Sequence, residues 1–303
     1  MADAIKQTDW SSAIGRKLGT VTLINLLGQG AMGCVFVGYQ HTLKRQVAVK
    51  LLPRKSTQAV NTDLFRNEAE MVAVLSHPNI IPIYEMGETD DLYYQIMQLI
   101  QGRDLKAAIV QRHIHPLPNK RTFPLDQTLQ IMIQILDGLG YAHDEGVIHH
   151  DIKPANILIE ERAKRPLIAD FGIAKAAAQA DTIISGDLMI GTPRYMAPEQ
   201  ARCEATDGRA DMYAAGIVLI EMITGTQLLK DEAPEKVVQR KRFEPESIDA
   251  LIRSILPPAL GPALTETICR ATASNCNNRY IHCSQFKAEL QRALTMILSG
   301  NHA

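Results

Sequence analysis

Apolar and polar positions alternate in short runs over the first hundred residues, and after that the apolar positions recur every three or four. Residues 21–27 and 33–39 are β-rich runs on either side of the glycines of GQGAMG, and 46–52 sets Val47 and Val49 against Ala48 and Lys50. The pattern predicts strand, glycine turn, strand, strand. Residues 63–75 then place Leu64, Met71, Val74 and Leu75 on one helical face and stop at the breaker His77-Pro78-Asn79. Two further strand-like runs, 80–86 and 92–99, complete this part. Beyond Gly102, Leu129, Met132, Ile133, Leu136 and Leu139 follow a helical period, as do Phe286, Leu290, Leu294 and Ile297 near the end. A small β-rich lobe with one helix therefore precedes a larger, mainly helical one, an α+β arrangement. The polar segment 112–122 (RHIHPLPNKRT) reads as a solvated surface insertion, with a basic docking patch as the alternative.

Several residues in this frame carry chemistry. Gly28, Gly30 and Gly33 let backbone N–H groups approach a polyphosphate without an intervening Cβ. They lie between two strands, which disfavours a dinucleotide-binding turn and leaves an ordinary hairpin as the rival reading. On an alternating strand Lys50 points the same way as Ala48, and it can neutralise phosphate oxygens if a carboxylate holds it. Glu68 is the natural partner, because Glu70 lies about 200° further round the helix. Asp151, Lys153 and Asn156 place a carboxylate, a cation and an amide within one loop, ahead of the strand-like run 157–159. Asp170-Phe171-Gly172 follows another short apolar run, 167–169. An amide and a carboxylate at two strand ends suit Mg²⁺, which takes few protein ligands and fills its shell with phosphate oxygens and water.

Composition narrows the field without adding to it. At roughly 150 residues per domain, 303 residues make two compact units or one large one. Lys and Arg number 32 against 33 Asp and Glu, a net charge of −1, so nothing draws the whole chain to nucleic acid or an anionic membrane. No apolar run approaches the roughly 18 residues of a membrane span. The opening MADAIKQTDW lacks the basic and then apolar stretch of a secretory leader, which makes the cytoplasm the expected compartment, a longer membrane-anchored parent protein remaining open. Five cysteines without a CxxC pair argue against a disulfide framework. Cys269, Cys276 and Cys283, beside His282, are read as small core residues in preference to metal ligands. Cys34 adjoins Gly33, and nothing near it in sequence predicts an activated thiol.

Taken in order, GQGAMGCV, VAVK at 47–50, HHDIKPAN at 149–156, DFG at 170–172, GTPRYMAPE at 191–199 and DMYAAGIVLIEMITG at 211–225 resemble the eukaryotic-type (Hanks-type) serine/threonine protein kinases, bacterial members most of all. The resemblance runs over about residues 21–298. It implies a bilobal protein-kinase-like fold with an N-terminal extension (1–20), an N-lobe (21–100), a C-lobe (101–298) and a short tail (299–303). It also implies an ATP- and Mg²⁺-dependent phosphotransferase in signal transduction, with Mn²⁺ as an alternative metal, acting on serine and threonine of proteins whose identity is not readable. Autophosphorylation between two copies in a homodimer belongs to the same expectation, and neither nucleic acid nor a membrane is a partner of this chain.

By that resemblance Gly28, Gly30 and Gly33 cover the phosphates, Lys50 contacts them and Glu68 orients Lys50. Asp151 accepts the substrate hydroxyl proton, Lys153 steadies the moving phosphoryl group, and Asn156 and Asp170 hold metal. Leu27, Val35, Ala48 and Leu158 enclose adenine, Met97 is the gatekeeper, and Gln98, Leu99 and Ile100 form the hinge. Arg279 pairs with Glu199, a structural role. Lys153 and Thr192 point to serine/threonine and away from tyrosine. One position departs from the family: His150 stands where an arginine is usual. Since histidine is only partly charged near neutrality and lacks the guanidinium fork, activation is expected to depend less strictly on phosphorylation at the candidate sites Thr182 and Ser185. Two rival readings remain, a pseudokinase scaffold, against which Lys50, Asp151 and Asp170 speak, and a small-molecule kinase, against which the APE segment speaks.

Overall fold

The structure is a computed structural model and describes residues 10–30, 33–54, 72–171 and 193–300. The chain divides into two compact units, one of Met1–Val74 with Ile81–Ile100 and one of Leu75–Ile80 with Gln101–Ala303.

The first unit is a six-stranded antiparallel sheet. Its strands are β1 (Lys17–Leu18), β2 (Val21–Gly30), β3 (Gly33–Gln40), β4 (Arg45–Pro53), β5 (Ile83–Glu88) and β6 (Leu92–Gln98), in the order β1-β2-β3-β4-β6-β5. Period-2 alternation sends Phe36, Val47, Val49, Leu51 and Ile96 to one face, where all are inaccessible to solvent. Trp10 and Ala13, on a 3₁₀ turn at Trp10–Ala13, join Leu18 in the same core. Residues 10–18, read from sequence as part of an extension, thus supply the sheet with an edge strand and a cover. Register shifts between Leu23 and Asn25 and between Leu26 and Gly28 bend β2 just before its glycines. Of the helix expected over 63–75 only 72–75 fall among the described residues: Val72 and Ala73 are helical, Val74 and Leu75 lie past its end, and Val74, expected on the apolar face, is exposed while Leu75 is buried.

The second unit is mainly helical. It contains β7 (Gly102–Asp104), α1 (Leu105–His113), α2 (Leu125–Asp144), β8 (Ile157–Glu160), β9 (Pro166–Ile168), α3 (Pro198–Ala201), α4 (Gly208–Thr224), α5 (Pro234–Phe243), α6 (Pro245–Ile255), α7 (Gly261–Ala271) and α8 (Cys283–Leu298). The three short strands form a sheet in the order β7-β8-β9. Asp104 caps α1, its carboxylate accepting from Ala107 N at 2.6 Å. Helix α4 is mostly apolar and buried from Ala210 to Met222, Asp211 and Glu221 included, so it is the axis on which α2 and α7 pack. Gly225 ends it in the left-handed conformation, φ 67°. On α2 the buried stripe takes in Ile131 and Ile135, while Ile133, expected within it, is half-buried. Helix α8 buries Cys283, Phe286 and Leu290, and Leu294 and Ile297 emerge half-exposed toward its end.

The polar segment 112–122 is partly ordered by its own side chains. Arg112 ends α1 with its guanidinium over the Phe123 ring and hydrogen-bonded to Thr122 O and Gln127 Oε1. A 3₁₀ turn at Pro118–Lys120 follows. Among the described residues no helix is long and apolar enough to cross a membrane.

Candidate active site

In the sheet unit, register gathers the residues expected around a nucleotide. Lys50 pairs with Val35 on one side and Gln95 on the other, and Ala48 pairs with Val37 and Met97. Directly opposed residues share a face, so Val35, Ala48, Lys50 and Met97 line one side of the sheet while Phe36, Val49 and Ile96 fill the core on the other. Gly28 pairs with Val35, and Gly30 with Gly33, which closes the hairpin above that face. Leu27 is exposed. Gln98 ends β6 with its N–H on Pro82 O at 3.1 Å, and Leu99 and Ile100 continue outside the ladder.

The three glycines are glycine for different reasons. A Cβ on Gly33 would stand 2.0 Å from Leu51 O, so its identity is required by the close approach of β3 to β4. A Cβ on Gly28 would meet nothing within 4 Å, and one on Gly30 only Gly33 O at 3.9 Å. Packing among the described residues does not demand glycine there. A bare, exposed backbone at Gly28 and Gly30 fits close approach by phosphate oxygens. Cys34, next to Gly33, is buried, and burial pushes its thiol up to about 12, so it stays protonated and unreactive.

In the helical unit, the loop before β8 brings Asp151, Lys153 and Asn156 into direct contact. Lys153 Nζ donates to Asp151 Oδ2 at 2.6 Å, and Asn156 Nδ2 donates to the same oxygen at 3.2 Å and to Asp151 O at 2.9 Å. With its amide nitrogen so engaged, buried Asn156 retains Oδ1 as the atom that can serve a cation. Ala169 N bonds Asn156 O at 2.8 Å and ties the loop to the chain leading into Asp170. His149, with no exposed surface, donates from Nε2 to Ala169 O at 2.9 Å, accepts Asp151 N on Nδ1 at 3.2 Å and packs its ring 4.6 Å from that of Phe171. His150 and Asp170 both adopt positive φ, 61° and 59°, which a non-glycine residue keeps only when its surroundings hold it. Leu158 is half-buried in β8, opposite Leu167. Glu68, Thr182, Ser185, Gly172 and Thr192 lie outside the described residues.

Residues 21–285 match the model of the protein kinase domain. The chain belongs to the protein kinase family. It is 33% identical over 287 residues to the serine/threonine-protein kinase Pkn1 of Myxococcus xanthus, covering 93% of this chain and 39% of that protein. It is 32% identical over 285 residues to PrkC of Bacillus subtilis, covering 92% and 41%. The chain thus spans about two-fifths of the length of these relatives. Among solved structures, the kinase domain of Mycobacterium tuberculosis PknI superposes with a TM-score of 0.69 at 25% identity, over 93% of this chain and 99% of that one. The fold is therefore the protein kinase fold, and these relatives are bacterial serine/threonine kinases, as the motifs implied.

What holds the loop of this kinase domain in place comes from far along the chain and received no role from sequence. Buried Asp211, on α4, accepts His149 N at 2.8 Å, His150 N at 2.7 Å and His143 Nε2 at 2.8 Å. Burial alone would lower the His143 pKa, but hydrogen bonds to Asp211 and to Cys283 Sγ outweigh it and lift it to about 10. The same pair holds the Asp211 carboxyl below its usual range despite complete burial. Gln200, on α3, donates from Nε2 to His150 O at 3.1 Å and accepts Ala197 N at 2.9 Å. The peptide groups on both sides of His150 are thus occupied, which accounts for its conformation. The expected pair between Arg279 and Glu199 is bidentate and buried, 2.6 and 2.8 Å, with Arg279 also donating to Ala273 O and Arg209 O. The sequence signal was the motif containing Asp211, which shows a residue type and not its partners. Among the described residues no group of three or more His, Cys, Asp and Glu side chains is placed to hold a metal, and Cys283 is packed against His143.

Proposed function

We propose that this chain is an ATP- and Mg²⁺-dependent serine/threonine protein kinase that transfers the γ-phosphoryl group of ATP to protein hydroxyls, its own included. The observation that carries this reading is the contact set around Asp151. Both neighbouring donors fall on Oδ2, which leaves Oδ1 as the atom to receive the proton of a serine or threonine hydroxyl. As that proton leaves, the hydroxyl oxygen bonds to the γ-phosphorus, the bond from phosphorus to the bridging oxygen breaks, and ADP departs with the electron pair. Lys153, beside Asp151, offsets the negative charge spread over the transferring oxygens. Lys50, Val35, Ala48 and Met97 form the nucleotide face, with Gly28 and Gly30 over the phosphates and Leu27, Leu158 and the backbone of Gln98, Leu99 and Ile100 around the base. Glu68 orients Lys50. Asn156 and Asp170 would hold Mg²⁺, which would supply positive charge against the phosphates, with Mn²⁺ the alternative. The same reading makes Thr182 and Ser185 sites of autophosphorylation within a transient homodimer, and places the chain in the cytoplasm, where ATP is supplied.

Incubation with labelled ATP, Mg²⁺ and a generic protein substrate tests it. The parent protein is expected to label serine and threonine, and Asp151→Asn to lower the rate about 10³-fold with nucleotide affinity retained. Nucleotide binding without transfer by the parent protein would overturn the reading in favour of a scaffold.

A further inference from the structure

Lys241, on α5, has no exposed surface, yet no step above uses it. Burying an ammonium is costly unless its protons meet acceptors. Here Nζ donates to Arg194 O at 2.7 Å and Met196 O at 2.5 Å, and lies 5.1 Å from the centre of the Tyr213 ring. Arg279 faces the same ring at 4.8 Å and takes both oxygens of Glu199. Lys241 therefore spends its hydrogen bonds on two carbonyls of one short stretch of backbone. Burial, reinforced by the Arg279 charge, pushes its pKa well below the ordinary lysine value.

The stretch it grips, 193–197, carries neither helix nor strand and has no ladder of its own. It is held by side chains instead. Between the two carbonyls taken by Lys241, the Tyr195 hydroxyl donates to Glu221 Oε2 at 2.5 Å and accepts from Gln227 Nε2 at 2.9 Å. The Arg194 guanidinium caps the carbonyls of Leu229, Lys230 and Glu232. At the far end Ala197 N reaches Gln200, whose amide continues to His150 O, one residue before Asp151. Gln200 thus joins the stretch that Lys241 grips to the backbone one residue before the proposed catalytic carboxylate. The stretch therefore ends beside the loop on which the proposed reaction receives the acceptor hydroxyl.

We propose that Lys241 is a positioning residue for the acceptor protein: by fixing the carbonyls of Arg194 and Met196 it sets the path along which a serine or threonine is presented to Asp151. This rests on the protein kinase reading above. It separates the residue from the catalytic group, since Lys241 acts through backbone that contacts the acceptor.

The test uses a serine-containing peptide that the parent protein phosphorylates. Lys241→Met, which keeps the linear shape and removes the donors, is expected to raise KM for the peptide about tenfold, with KM for ATP moving less than about twofold. Lys241→Gln, which returns an amide donor to the pocket, is expected to recover part of the loss and serves as the test if the methionine variant does not fold. A fall in kcat with peptide KM unmoved overturns the proposal, as does an equal rise in both KM values. Failure of both variants to fold also overturns it, because the lysine would then hold up the helical unit and not the segment. Absence of transfer by the parent protein strikes the kinase reading instead.

Discussion

In the sheet unit, Val35, Ala48, Lys50 and Met97 share a face because antiparallel register puts them there, and the opposite face keeps them there by burying Phe36, Val49 and Ile96. In the helical unit, Asp151, Lys153 and Asn156 occupy a loop with no ladder, and its shape is maintained by side chains up to some sixty residues away in sequence, Asp211 and Gln200 foremost. The proposed nucleotide face is built on backbone hydrogen bonds and apolar burial, the proposed catalytic loop on buried polar side chains. The difference has consequences for failure. A sheet tolerates the loss of a single methylene, whereas a buried charge network does not tolerate the loss of one member, because the partner left behind is desolvated and unpaired.

The sharpest way to break that contrast is at Arg279. Arg279→Met leaves Glu199 buried without its cation and is expected to destabilise the protein by about 3–5 kcal/mol in chemical denaturation. A loss below about 1 kcal/mol would mean that the helical unit does not rest on its charge network.

Next in size is a dependence on pH. The folded-state pKa of His143 is raised above its unfolded value of 6.5 to about 10, so the stability it contributes is complete below pH 6.5 and is lost as pH rises toward 10. Between about pH 7 and 8 the His143 contribution should fall with a slope of at most about 1.4 kcal/mol per pH unit, read as the difference between the parent protein and a variant without the imidazole. His143→Gln should flatten that slope. An unaltered slope in the variant would assign it to another group.

The smallest effects sharpen the sheet side. Gly33→Ala drives a Cβ against Leu51 O and is expected to cost about 1–3 kcal/mol. Gly28→Ala meets open space and should leave stability within about 0.5 kcal/mol while raising KM for ATP. Equal destabilisation by the two would show that both glycines serve the hairpin alone.

These contrasts also explain what could be read in advance. Alternation of Val47 and Val49 against Ala48 and Lys50 was enough to place the strand and the direction of Lys50, since a period of two dictates the face. Helix α4 was visible as part of a motif, but its near-total burial was not, and neither was the shift of the buried stripe on α2 from Ile133 to Ile131 and Ile135. Residues 10–18 looked like an extension because Trp10, Ala13, Ile14 and Leu18 carry no period, yet Trp10, Ala13 and Leu18 complete the sheet core. The segment 112–122 looked like a solvated insertion because polarity in sequence does not reveal that Arg112 reaches back to Thr122, Phe123 and Gln127.

Sequence by itself determined the family, the order of the motifs and the residue types of the proposed site: three glycines, Lys50, Asp151, Lys153, Asn156 and Asp170. Those are local patterns, set by spacing along the chain and by the chemistry of single side chains. Only the tertiary structure decided which residues hold them. The grip of Asp211 on the two histidine amides, of Gln200 on His150 and Ala197, and of Lys241 on Arg194 and Met196 all join elements distant in sequence. A buried polar group declares its partner only when burial removes water as the alternative, and burial is a property of the folded chain.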